Sequence, residues 1–106
     1  MMYMTNKIES YKNALSANQR VIVGYFASWC SPCNRVAPFF EDLSKENHGL
    51  LFVKVDVDFG KEISKVEKVK KMPTFKAFEN SKEVDKLIGA DEVAMRAFVD
   101  KWKIID

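Results

Sequence analysis

The sequence has little that could bind a metal ion or cross-link the chain. It contains one histidine, His48, and two cysteines, Cys30 and Cys33. These three side chains do not complete a four-ligand zinc site, so we predict no metal centre. A disulfide between cysteines this close in sequence would close a very small loop and would stabilise the fold little. The cysteine pair is therefore better explained by reactivity than by a structural role.

Long apolar runs and a strong charge imbalance are also absent. No segment approaches the length that is needed to span a bilayer, and residues 1–7 lack the apolar core and cleavage site of a signal peptide. A formal net charge of +2 is too weak to indicate nucleic acid or an anionic membrane as a partner. We therefore expect a cytoplasmic protein, in a reducing compartment where paired cysteines are usually catalytic or metal-binding.

The 106 residues fit a single domain, 1–106, with enough apolar side chains for one core. Periodicity and turn residues predict strands at about 2–5, 21–27, 50–57, 74–78 and 84–88, and helices at about 6–17, 31–46, 61–69 and 91–102. Strands separated by helices need parallel crossovers, whereas the closing hairpin is antiparallel. The order βαβαβαββα therefore predicts an α/β fold whose mixed sheet has helices on both faces.

Particular residues are expected to define the helices. Thr5 or Asn6 is a candidate cap for the first helix, and Asp91 for the last. In the third helix we expect Ile63 and Val66 to face the core. The helical spacing of the last helix predicts one buried face, formed by Met95, Phe98, Val99 and Trp102.

The segment Trp29-Cys30-Ser31-Pro32-Cys33 lies between an apolar run and a pattern with helical spacing. The spacing places both sulfur atoms within one helical turn. At a helix start the first sulfur faces unpaired backbone N–H groups and the positive end of the helix dipole. Both favour the thiolate, which is the reactive species. The motif therefore predicts a redox-active dithiol.

Three other features have more than one interpretation. Trp29 is either a core residue or part of a docking surface beside the cysteines. The charged residues of the third helix are either a docking face for an acidic partner or, as we favour, a solvated face. Asp56 and Asp58 alternate with valines and are either paired carboxylates for acid–base chemistry or a metal or, as we favour, solvated residues at a strand end.

Together these residues resemble thioredoxin over nearly the whole chain. The Trp-Cys-x-Pro-Cys motif and the order of elements carry most of the resemblance. Further matching residues are Pro38, Lys54, Met72-Pro73-Thr74 and Gly89. The segments 37–40 and 55–58 are most similar to cytosolic eukaryotic thioredoxins.

The resemblance implies roles for individual residues. Cys30 would be the attacking thiol and Cys33 the resolving thiol. The Met72–Pro73 bond would be cis, which is uncommon even before proline, and the backbone of Met72 would pair with the substrate chain. The docking surface that the resemblance implies comprises Trp29, Ser31, Pro32, Met72, Pro73, Gly89 and Ala90.

The resemblance also implies a protein-disulfide reductase that takes part in electron transport and cell redox homeostasis. No cofactor would be bound, because electrons would come from NADPH through a flavin-containing thioredoxin reductase. The clients would be disulfide-containing proteins such as peroxiredoxins, and the protein would be a monomer without nucleic-acid or membrane partners. The alternatives are an oxidase or isomerase of similar fold, with a potential of about −180 mV rather than about −270 mV, and a binding module with incidental cysteines.

Two positions depart from the family pattern. Ser31 replaces the usual glycine between the first cysteine and the proline, and we expect little effect. Gly24 occupies the position of a buried aspartate that helps to deprotonate the resolving cysteine in the family, so Lys54 lacks its usual charge partner. We expect either that water enters the space left at Gly24 and relays the proton, or that Cys33 is deprotonated more slowly.

Overall fold

The computed structural model describes residues 2–103, which form five strands and four helices in the predicted order. The strands are β1 (Met2–Met4), β2 (Arg20–Phe26), β3 (Leu51–Asp56), β4 (Thr74–Glu79) and β5 (Lys82–Ile88). The helices are α1 (Ile8–Ala17), α2 (Ser31–Glu46), α3 (Lys61–Val66) and α4 (Glu92–Trp102).

The strands form one mixed sheet in the order β1-β3-β2-β4-β5. The pairs β1–β3 and β2–β3 are parallel, whereas β2–β4 and β4–β5 are antiparallel. The central strand β2 is buried from Val21 to Phe26, as expected for an apolar strand that is covered on both faces. The mixed sheet predicted from the element order is therefore confirmed.

Alternate side chains of β2 pack against different helices. On one face the ring of Phe26 contacts Phe40 of α2, with 5.6 Å between the ring centroids. On the other face Tyr25 contacts Tyr11 of α1, with 6.5 Å between the centroids. Because successive side chains of a strand point to opposite faces, α1 and α2 cover opposite faces of the sheet. Helix α3 contacts α1 and helix α4 contacts α2, so each face carries a pair of helices.

The first helix starts differently from the prediction. Lys7 holds the N-cap position and provides no side-chain cap. The hydroxyl of Thr5 accepts a hydrogen bond from the Lys7 N–H at 3.3 Å, and the Asn6 side chain accepts one from the Asp56 N–H at 3.0 Å. The prediction that Thr5 or Asn6 caps α1 is therefore wrong, because Asn6 instead joins the start of α1 to the end of β3.

The third helix is shorter than predicted. It ends at Val66, whose side chain is 56% exposed, whereas Ile63 is fully buried. Lys68 has a φ of 57°, and the N–H groups of Lys68 and Val69 donate to the carbonyls of Lys65 and Ser64. These bonds form a Schellman motif with lysine at the position that glycine usually occupies. Val66 is therefore the last residue of α3 and is exposed, so the prediction that it faces the core is wrong.

The hairpin and the last helix agree with the predictions except at their ends. Asn80 and Ser81, with φ values of 50° and 70°, form a two-residue turn of the primed type. This short turn lets β5 begin at Lys82, two residues earlier than expected. Asp91 caps α4 as predicted, by accepting from the Val93 N–H at 2.9 Å. Trp102 packs against the core but is only half-buried.

Candidate active site

The two cysteines lie at the start of α2 and are joined as a disulfide, with 5.2 Å between their Cα atoms. Cys30 is the N-cap residue, and its Sγ accepts a hydrogen bond from the Cys33 N–H at 3.2 Å. The predicted placement of the first sulfur against unpaired helix amides is therefore confirmed. In the reduced protein this amide and the helix dipole would both stabilise a Cys30 thiolate.

The two sulfur atoms differ in access. Cys30 is 5% exposed and Cys33 is 1% exposed. Ser31 and Pro32, which separate them, are exposed in the first turn of α2. The Ser31 side chain forms no hydrogen bond within residues 2–103. Cys30 is thus the sulfur that a large substrate reaches more easily.

The loop before β4 lies against Cys30. The Met72–Pro73 bond is cis, as the resemblance implies, and the Met72 carbonyl oxygen lies 3.6 Å from Cys30 Sγ. The Gly89 N–H donates to the Pro73 carbonyl at 3.0 Å. Gly89 has a φ of 119°, in the left-handed region that favours glycine. The fold therefore brings Met72, Pro73 and Gly89 to the disulfide, with Ala90 half-buried directly after them.

Trp29 is 67% exposed, so it is not a core residue. Its indole N–H donates to the Asp58 carboxylate at 2.9 Å. The Asp56 carboxylate in turn accepts from the N–H groups of Asp58 and Phe59, at 2.8 and 3.2 Å. Asp58 is exposed just after the end of β3, as predicted, and both aspartates have a further role, because Asp58 positions Trp29 and Asp56 shapes the turn that holds Asp58. The meeting of β2 and β3 at their carboxyl ends is the signal that would have indicated Asp58.

Gly24 leaves no open space in the sheet. A Cβ atom at this position would lie 2.5 Å from Phe26 Cε2 and 3.2 Å from Phe40 Cζ. The Phe26 ring thus occupies the space that a larger side chain would need. The expectation that water enters this space is therefore wrong.

Lys54 pairs in register with Gly24 and makes no ion pair in the described part of the chain. Its Nζ lies 5.3 Å from the centroid of the Phe26 ring, in a cation–π contact. Lys54 therefore packs on the ring that replaces its expected carboxylate partner.

A small cavity of about 160 Å³ does reach Cys33, beside the Phe26 ring. The cavity is lined by Phe26, Ala27, Ser28, Cys33, Asn34, Ala37, Lys54 and Asp56. Its volume accommodates several water molecules, and it contains polar groups that can bind them. The cavity places Cys33, Lys54 and Asp56 on the walls of one space that is large enough to hold water.

Other kinds of site have less support. Residues 2–103 contain no group of three or more side chains that could hold a metal ion, and His48 is exposed after α2. None of the helices that the structure describes is long and apolar enough to span a bilayer.

Comparisons with known proteins agree on one family. The family model described as Thioredoxin matches residues 2–101. Thioredoxin 1 of Plasmodium falciparum is 39% identical over 102 residues, which cover 96% of this chain and 98% of that protein. A solved structure of Plasmodium falciparum thioredoxin has a TM-score of 0.93, with 39% identity over 94% of this chain and 98% of the other.

A third similar chain comes from a structure that concerns thiol resolution in a yeast mitochondrial 1-Cys peroxiredoxin via glutathione and thioredoxin systems. It has a TM-score of 0.88 and 26% identity, and the match covers 94% of each chain.

Proposed function

Because this chain belongs to the thioredoxin family, we propose that Cys30 attacks client disulfides and that Cys33 resolves the mixed disulfide. The chain is a protein-disulfide reductase that acts by thiol–disulfide exchange through the Cys30–Cys33 pair. The assignment of roles depends on one observation. Cys30 is the more exposed sulfur, and it accepts the helix amide of Cys33.

The reaction transfers two electrons to the client in two substitutions. The Cys30 thiolate attacks one sulfur of the client disulfide, and the other client sulfur leaves as a thiolate that takes up a proton. Cys33 then loses its proton and attacks Cys30 Sγ, which releases the second client thiolate. The client disulfide is reduced, and the Cys30–Cys33 disulfide is formed.

The client chain would lie along the loop that carries the cis proline. Met72 has its carbonyl 3.6 Å from Cys30 Sγ, so an extended client segment that pairs with this backbone has its cysteine next to Cys30. The proposed docking surface consists of Trp29, Ser31, Pro32, Met72, Pro73, Gly89 and Ala90. Trp29 contributes exposed apolar area whose orientation Asp58 fixes.

Deprotonation of Cys33 needs a route that does not use residue 24. We propose that the Cys33 proton passes to water in the adjoining cavity and that the Asp56 carboxylate receives it. Cys33 and Asp56 both line this cavity. Lys54 lines the same space. The Phe26 ring prevents Gly24 from contributing to this route.

The cysteine roles are tested by insulin-disulfide reduction. We expect Cys30→Ser to be inactive. Cys33→Ser should carry out the first substitution and accumulate a mixed disulfide with the client, which mass spectrometry detects. If Cys30→Ser trapped the client and Cys33→Ser did not, the assigned roles would be reversed.

The proton route is tested on the second substitution alone. The reporter is a mixed disulfide between Cys30 and a chromophoric thiol, whose release by Cys33 is followed against pH. Asp56→Asn keeps an acceptor for the Asp58 and Phe59 amides but removes the base, so release should slow about tenfold or more below pH 8. Glu62→Gln removes one negative charge at an exposed position outside the cavity and serves as the matched control. Equal release from both variants would exclude Asp56 as the base.

The source of electrons and the clients follow from the family. We propose that NADPH reduces the protein through a flavin-containing thioredoxin reductase, that clients include peroxiredoxins, and that the protein acts in the cytoplasm as a monomer. The yeast structure named above, which concerns a peroxiredoxin, supports this client class. The expected result is oxidation of NADPH that requires the reductase, this protein and an oxidised peroxiredoxin together. Reduction of the peroxiredoxin without this protein would contradict it.

A further inference from the structure

A second cavity, of about 210 Å³, lies between the end of α3, the loop before β4 and strand β5. Most of its lining side chains are lysines. The lining residues are Lys68, Val69, Lys70, Lys71, Thr74, Lys76, Lys86 and Ile88. We call this cavity the lysine pocket. Five of the eight lining residues are lysines and none is acidic, whereas the formal net charge of the whole chain is only +2.

One lysine of the pocket has a structural role. Lys76 is 5% exposed, and its Nζ donates to a Glu83 carboxylate oxygen and to the Glu67 carbonyl, each at 2.7 Å. These bonds satisfy its charge within the fold. Lys76 therefore forms the floor of the pocket and is not available to a ligand.

The other four lysines are exposed and unpaired. Within residues 2–103 no carboxylate forms an ion pair with Lys68, Lys70, Lys71 or Lys86. These four lysines line one small space, where like charges repel each other. A negatively charged partner would relieve this repulsion and would be attracted before contact.

The lysine pocket adjoins the proposed docking surface. Lys71 directly precedes Met72, whose carbonyl lies 3.6 Å from Cys30 Sγ. At the other side of the pocket, Ile88 pairs with Thr74 and directly precedes Gly89. A polypeptide bound at Met72 would therefore extend into the pocket within a few residues of its cysteine, since each residue of an extended chain spans about 3.3–3.6 Å.

We propose that the lysine pocket binds an acidic segment of the client protein, a few residues from the disulfide that is reduced. This inference rests on the proposed function and adds a class of preferred client to it. The occupant is polypeptide rather than a free anion, because the pocket is continuous with the surface where a client backbone would pair. Carboxylates beside the client disulfide would accelerate its encounter with Cys30 by electrostatic attraction.

The backbone at Lys68 is a further argument. Its φ of 57° places a lysine at the Schellman position that glycine usually occupies. A residue other than glycine in this conformation is strained by roughly 1 kcal/mol. Lys68 lines the pocket in this strained conformation. A requirement for positive charge in the pocket would offset that strain.

The test compares peptides that share one disulfide and differ in flanking residues, which are glutamates, glutamines or lysines. Second-order rates of reduction are measured with the reduced protein at about 20 mM and about 500 mM salt. At low salt we expect the glutamate peptide to react about tenfold faster than the glutamine peptide. High salt should remove most of this preference.

The pocket variant carries Lys68→Gln, Lys70→Gln and Lys86→Gln and keeps Lys76. The control variant carries Lys12→Gln, Lys45→Gln and Lys61→Gln, which removes the same charge from exposed positions outside the pocket. We expect the pocket variant to lose the preference for the glutamate peptide, while its rate with the glutamine peptide stays within about twofold of wild type. The control variant should retain most of the preference.

The outcomes separate this proposal from the proposed function. If wild type reduces the glutamine peptide and shows no preference for glutamate, or if both variants lose the preference equally, the lysine pocket is not a client site. A free-glutamate competitor that abolishes the preference as well as a cysteine-free acidic peptide does would show a simple anion site and also overturn it. If no peptide is reduced at all, the proposed function itself fails and this inference fails with it.

Discussion

The two faces of strand β2 differ in polarity. Gly24 and Tyr25 are neighbours in the sequence but lie on opposite faces. On the Gly24 face, the rings of Phe26, Phe40 and Phe75 pack together, with 5.4–5.6 Å between their centroids. On the other face the hydroxyls of Tyr25 and Tyr11 lie 2.5 Å apart. The buried tyrosine hydroxyls thus lie on the face of the sheet opposite to the one that adjoins Cys33.

The polar face depends on complete hydrogen bonding. Tyr11 also donates to the Glu67 carboxylate at 2.6 Å, and within residues 2–103 no buried side-chain N or O atom lacks a partner. The aromatic face needs no such partners, but its packing leaves no room beside Gly24. The proposed route from Cys33 to Asp56 therefore runs through the cavity at the rim of the aromatic face.

The largest loss of stability is expected when a polar side chain is introduced into the aromatic face. Gly24→Asp places Cβ 2.5 Å from the Phe26 ring and buries a carboxylate among aromatic rings. We expect it to lower the free energy of unfolding by about 3 kcal/mol or more, measured by urea denaturation. Gly24→Ala isolates the steric part and should lower it by about 2 kcal/mol. A Gly24→Asp variant as stable as wild type would show that the ring moves aside freely.

Breaking the polar face should have a smaller and unequal effect. Tyr11→Phe removes the hydroxyl that bonds both Tyr25 and Glu67, so we expect a loss of about 2 kcal/mol in the free energy of unfolding. Tyr25→Phe leaves the bond from Tyr11 to Glu67 and should lower it by about 1 kcal/mol. Urea midpoints at neutral pH measure both. Equal losses would mean that the bond to Glu67 contributes nothing.

High pH tests the same face without mutation. Burial raises the pKa of both Tyr11 and Tyr25 well above the ordinary value of 10.0. The folded state keeps these hydroxyls neutral. Their contribution to the free energy of unfolding is therefore complete below pH 10 and is lost as the pH rises further. At one pH unit above 10, we expect the free energy of unfolding to be lower by about 1 kcal/mol per tyrosine than it is below pH 10. The variant with both Tyr11→Phe and Tyr25→Phe is the control, and its stability should fall less steeply over this range.

The smallest loss of stability is expected when the charge that lies over the aromatic face is removed. Lys54→Met removes the cation that lies 5.3 Å from the Phe26 centroid and should lower the free energy of unfolding by about 0.5–1 kcal/mol. Lys54→Arg preserves the cation and should stay near wild type. Thermal denaturation of the two variants in parallel measures the difference. If both behaved alike, the stacked charge would not stabilise the fold.

The sequence predicted the architecture because its signals are local. The apolar run 21–26, the helical spacing after Cys33 and the hairpin each occupy a short window, and together they determine the order of elements. The cysteine motif likewise identified the reactive pair and the start of α2. The end of α3 was missed because the signal for a left-handed cap is usually glycine, and here the residue is Lys68.

The features that were missed at the site depend on contacts between distant parts of the chain. Trp29 and Asp58 are 29 residues apart, and only the register of β2 with β3 brings their loops together. The sequence showed that residue 24 lacks a carboxylate. It could not show that the Phe26 ring turns into the same space, since side-chain orientation depends on packing. The cavity that joins Cys33 to Asp56 follows from that orientation.

The outer strands of the sheet have a consequence for behaviour at high concentration. β1 offers three residues along one border, and β5 presents Lys82, Glu83, Asp85 and Lys86 along the other. A short edge strand and a charged edge strand are both poor templates for strand addition by another molecule. We therefore expect little edge-to-edge pairing between copies of the protein at high concentration.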